Sequence, residues 1–134
     1  MAYINRLLNN LNLWPRAADA AIASGETQLR VRLPVDYVEF LKFANGGEGF
    51  VGKHYVILWH IEDLASMNES YEVQKYVPGL LIFGSDGGGE AYGFDTRIPQ
   101  WPIVQMPFIG MKWDVAQPMG ASFSQFLALL YGIL

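Results

Sequence analysis

The chain has 134 residues, half of them apolar and 14% aromatic, which sets disorder aside and suits one domain over residues 1–134. It has no cysteine, so disulfides and thiolate metal sites are excluded. Net charge is −4, but residues 34–95 hold ten acids against three bases, a local −7 that argues against a nucleic-acid partner and suits a basic protein partner or plain solubility.

The opening MAYINRLLNNLNLW has no long apolar run, so neither a signal peptide nor a membrane span is read there, and the cytosol is the expected location. Ile4, Leu7, Leu8 and Leu11 recur at helical spacing and predict a short amphipathic helix. Trp14-Pro15 breaks it and can open a second, alanine-rich helix with Pro15 in its first turn, which Gly25 should weaken. LPVDYVEFLKFANGG (33–47) predicts a helix with Asp36 and Glu39 near its positive end. Tyr37, Phe40, Leu41 and Ala44 form its core stripe, and Asn45-Gly46-Gly47 supplies a left-handed stop. EGFVG and HYVILWH predict a hairpin through Gly52-Lys53. Residues 61–76 predict helix, with a break near Asn68. LLIFGSD and AYGFD predict two strands joined by the GGGE turn, and PIVQM a further strand. MKWDVAQP (111–118) carries no clear signal. SFSQFLALLY predicts a last helix with Ser122 as N-cap. Helices first, then mostly hairpin-linked strands, then a helix point to an α+β fold with a mainly antiparallel sheet.

The run GSDGGGEAYGFD (84–95) invites a phosphate-loop reading, and that reading fails. A Walker loop needs Lys and Ser or Thr after the glycines, where this chain has Glu90, Ala91 and Tyr92. A dinucleotide fingerprint needs a helix there, and AYGFD reads as a strand. The glycines suit a hairpin turn instead. Asp86, Glu90 and Asp95 do not fit a calcium loop, and His54 and His60 lack a third zinc ligand. No nucleophile elbow or catalytic set is visible, so no enzyme, cofactor or metal is expected. Trp59, Trp101, Trp113, Tyr71 and Tyr92 are interface-type rings. Most are expected to cover the core and one or two to be exposed.

The order of these blocks resembles the SUKH superfamily, in its Knr/Smi-like branch. The strongest carriers are LP-x-DY-x-x-FL-x-x-x-NGG (33–47) and G-S-D-G-G-G-E-x-Y-x-F-D, with N-x-x-Y (Asn68, Tyr71) between them. The resemblance implies helices packed on a central, mainly antiparallel sheet, with Glu26 and Leu29 in a helix that contains Gly25. It also implies a non-enzymatic role. Bacterial members are mostly cytosolic immunity proteins that bind a cognate toxin domain, often a nuclease; fungal relatives are regulatory interaction proteins.

Three readings follow. The first is an immunity protein that neutralises a polymorphic or contact-dependent toxin domain by stoichiometric binding, with Glu48, Trp59, Glu62, Asp63, Asp86 and Glu90 as contact residues. The partner is then a basic domain such as a nuclease, with no direct nucleic acid and no membrane; the oligomeric state stays open. The second is a regulatory or scaffold module of the same fold. The third is an enzyme or small-ligand binder with a pocket near Trp59, Asp86 and Tyr92.

Overall fold

The computed structural model describes the backbone of residues 2–134 and the side chains from Asn5 onward. Among these, seven strands form one antiparallel sheet whose spatial order is the chain order: β1 (Leu11–Leu13), β2 (Gly47–Val51), β3 (His54–Leu58), β4 (Leu80–Ser85), β5 (Glu90–Asp95), β6 (Ile103–Pro107) and β7 (Gln117–Pro118). The helices are α1 (Ala2–Leu7), α2 (Asp19–Leu29), α3 (Val35–Phe43), α4 (Leu64–Ser70), α5 (Val73–Tyr76) and α6 (Phe123–Tyr131), with 3-10 turns at Ile61–Asp63 and Trp113–Val115. The α+β reading with a mainly antiparallel sheet holds.

The strands sort their side chains by parity. Val56, Leu58, Leu81, Phe83, Tyr92, Phe94 and Ile103 face α3 and α6, where Tyr37, Phe40, Phe123 and Phe126 close an aromatic core. Leu80, Ile82, Ala91 and Met106 face the other way and form a smaller core with Val73, Val77 and Met111. That second layer covers only β4 to β6. Over β2 and β3 the same face carries Glu48, Phe50, Tyr55 and Ile57, which are exposed or half-buried.

Several local expectations are corrected. Leu11 belongs to edge strand β1, not to the first helix, because it pairs with Gly49 across from β2. Helix α2 starts at Asp19, not near Pro15: Pro15 and Ala17 precede the helix, with Pro15 O accepting from Asn45 N and Ala17 N donating to Leu41 O. Gly25 does lie inside α2, as the resemblance implied, and a Cβ there would come within 2.7 Å of Ile61. The glycine lets α2 sit close on the 3-10 turn. Helix α3 runs to Phe43 and leaves through extended Ala44; the left-handed residue is Gly46, two positions later. The helical break falls at Glu72, left-handed at φ 53°, rather than near Asn68.

Asn68 instead sits inside α4 and ties it to the sheet. Its amide nitrogen donates to Ile82 O at 2.9 Å, and its carbonyl accepts from Ile82 N at 2.9 Å. Strand β3 pairs with β4 only as far as Leu58, so beyond it these two backbone groups lack a strand partner. The side chain takes the place of the missing strand, which a buried backbone requires. Ser122 caps α6 by accepting from Gln125 N, as expected, and Asp36 of α3 accepts from both Ser124 N and Ser124 Oγ.

Candidate protein-binding surface

The 84–95 run forms the β4–β5 hairpin. Asp86 folds inward and accepts from Gly88 N at 2.7 Å and Glu90 N at 2.9 Å. The amides that a phosphate would use are thus taken by the loop's own carboxylate, and β5 follows where a nucleotide site would need a helix. Gly87 and Gly89 have positive φ, as the turn reading requires. Gly84 differs: a Cβ there would lie 2.4 Å from Ile57 O, so this glycine serves the close approach of β3.

The six residues expected to touch a partner fall into two neighbouring groups. Glu48, Trp59 and Asp63 line one groove of about 190 Å³, together with Trp14, Ile57, Leu58, His60 and Met67. Glu62 stands beside it, its carboxylate accepting from Asn45 Nδ2 at 2.7 Å, a bond that leads the causes holding its pKa below the ordinary carboxylate value. Asp86 lines a second depression with His54, Tyr55, Tyr92 and Gln105, and Glu90 reaches it by accepting from Gln105 Nε2 at 3.2 Å. Burial, reinforced by the charges of Asp86 and Glu90, pushes the Tyr92 phenol up to about 12. The expected joint pocket of Trp59, Asp86 and Tyr92 does not form: Trp59 lines one depression, Asp86 and Tyr92 the other. His54 and His60 are likewise divided between the two.

Tyr55 links the groups. It lines the second depression, and its hydroxyl donates to Glu48 of the first. That bond and the nearby negative charge raise the Tyr55 pKa. Phe50 meets Tyr55 edge-on at 5.3 Å, and a Cβ at Gly87 of the hairpin would touch the edge of the Tyr55 ring at 3.4 Å. At the other end, Tyr71 stacks on Phe108 at 4.6 Å and on Trp59 at 6.3 Å. The left-handed Glu72 just after Tyr71 is what separates α4 from α5. Phe50 is 49% exposed, Tyr55 37% and Tyr71 38%, which makes this strip aromatic, acidic and wet.

Asn45 positions the groove wall. Read as a helix stop, it is a buried hub: its N donates to Pro15 O, its Oδ1 accepts from Ile61 N, its Nδ2 donates to Glu62, and its O lies 2.7 Å from His60 Nδ1. A carbonyl only accepts, so Nδ1 of His60 carries the proton and Nε2 is left as an acceptor in the neutral ring. Trp14 meets His60 edge-on at 4.7 Å. No local signal shows these partners, because Asn45 acts on residues fifteen to thirty positions away.

The SMI1 / KNR4 family (SUKH-1) model matches residues 16–129. The chain belongs to this family. Comparison with curated proteins gave no match. Trp14 and strand β1 precede the matched segment. Membership is consistent with an immunity or a regulatory role and with protein–protein interaction. Among the described residues, no helix is long and apolar enough to cross a membrane.

Proposed function

We propose that this SUKH-1 protein is an immunity protein. It binds a cognate polymorphic or contact-dependent toxin domain in the cytosol and neutralises it as a stoichiometric complex, without catalysis. The observation that carries the reading is the uncovered half of the back sheet face. Aromatic side chains of the type that anchor interfaces stand there beside Glu48 and Asp63, which form no ion pair among the described residues. Such a surface suits a basic toxin domain, as a nuclease is where it attracts phosphate, and complementary charge speeds capture. Glu48, Trp59, Glu62 and Asp63 are the central contacts, with Asp86 and Glu90 at the rim.

The second reading, a regulatory interaction module, draws on the same surface and on the family's other branch. Co-expression with the product of the adjacent open reading frame separates the two. Rescue of growth and a co-purifying complex are expected. A neighbour that is harmless, or toxic but neither bound nor rescued, would sink the immunity reading.

A further inference from the structure

We infer that the Trp59 groove is a receptor for one arginine side chain of the partner. Its volume of about 190 Å³ lies below the roughly 300–1,000 Å³ of sites that enclose small molecules, so a single inserted side chain is the better fit. The walls divide by chemistry. Ile57, Leu58 and Met67 supply an apolar lining for a methylene stem. Trp14, 55% exposed, and half-buried Trp59 offer ring surface for a flat cation. Glu48 and Asp63 supply the negative charge.

Neither carboxylate is neutralised from within. The ion pairs among the described residues join Lys75 to Glu72 and Arg97 to Asp95, and no lysine or arginine lines the groove. Glu48 is held in place by the Tyr55 hydroxyl. Asp63 closes the 3-10 turn whose first residue is pinned by Asn45, which fixes its backbone position at the groove. A guanidinium matches this arrangement better than an ammonium. It is planar, stacks on rings, and presents a rigid fork of donors to carboxylates.

The inference rests on the proposed immunity role for the identity of the protein that supplies the arginine; the groove's preference is testable without it. A capped Gly-Arg-Gly tripeptide is titrated into the full ¹⁵N-labelled chain, and the indole N–H signals of Trp14 and Trp59 are followed. The citrulline tripeptide, planar but neutral, is the control. Saturable shifts of both indoles are expected with arginine, binding about tenfold weaker with citrulline, and loss of the shifts in the double variant Glu48→Gln, Asp63→Asn. Equal response to the two tripeptides, or shifts only elsewhere in the spectrum, overturns the inference. The double variant is then tested against the adjacent gene product. A complex that the wild type forms and the variant forms equally well sinks the arginine receptor and leaves the immunity reading standing. Tripeptide binding with no complex does the reverse.

Discussion

The two faces of the sheet use the same kinds of side chain to opposite ends. On the front, Tyr37 and Phe83 lie 5.8 Å apart, Phe83 and Phe94 4.7 Å, and Phe40, Phe123 and Phe126 around them are buried. On the back, the rings over β2 and β3 are bordered by Glu48, Asp63 and a tyrosine hydroxyl, and water reaches them. Aromatic content alone therefore says little about role. What surrounds a ring decides whether it holds the fold together or is left for a partner. The boundary between these regimes runs across the back face itself, where α5 and the segment after β6 stop short of β3. Trp113 helps to fix that cover, its indole N–H donating to Pro78 O while the Arg97 guanidinium, paired with Asp95, lies 3.5 Å from the centre of its ring.

The contrast can be broken most forcefully at the front. Phe123→Ala removes a fully buried ring packed on Tyr37, Phe40 and Phe83, and should cost about 4 kcal/mol in urea denaturation. Asn68→Ala attacks the seam where α4 meets β4. It strands the N–H and C=O of Ile82 and is expected to cost about 3 kcal/mol by the same measurement. Trp59→Ala should act the other way round. Complex formation, measured by calorimetry with the co-purified partner, weakens by about 2 kcal/mol, near thirtyfold, while stability changes less than for Phe123→Ala. A Trp59→Ala protein that bound normally would return this ring to the core.

Titration sharpens the same comparison. Burial holds the Tyr37 phenol well above its ordinary value, and its hydroxyl has no hydrogen-bond partner among the described residues. Unfolded tyrosine ionises near pH 10 while Tyr37 stays protonated in the fold, so the native state binds more protons there. Stability is then undiminished below about pH 10 and falls above it, by up to about 1.4 kcal/mol per pH unit from this group. Tyr37→Phe should leave stability at pH 7 within about 1 kcal/mol and flatten the alkaline fall; an unchanged slope would contradict the assignment. The smallest effect is expected at the back. Glu48→Gln should shift stability by no more than about 0.5 kcal/mol, and should bring the Tyr55 titration down toward its ordinary value by ultraviolet or NMR titration.

Most of the architecture was legible because its signals are local. The Tyr37, Phe40, Leu41 stripe, the Gly52-Lys53 hairpin and the Ser122 cap each depend on neighbours within a few residues, and each appears where expected. The errors lie where a distant segment outbids local preference. Leu11 continues a helical pattern but pairs with β2, and Asn68 reads as a break but serves a strand fourteen residues on. The same holds for the candidate surface. Residue types put Glu48, Trp59 and Asp63 among the contacts, yet nothing in their spacing showed that they share a groove with Trp14 and Met67 while Asp86 and Glu90 belong to a neighbouring one.

By itself the sequence determined local elements, such as the helical stripe of Tyr37, Phe40 and Leu41 and the hairpin through Gly52-Lys53. It also determined the hairpin at 84–95 and ruled out its use as a phosphate cradle, since the flanking residue types are wrong for that chemistry. Only the tertiary structure decided which half of the back face stays open. That depends on how far α4, α5 and the segment after β6 extend over the sheet, and on the side-chain bonds of Asn45 and Asn68 that hold the groove wall and α4 in place. Those contacts span long stretches of chain, and long-range closure is the part of folding that no local window of sequence records.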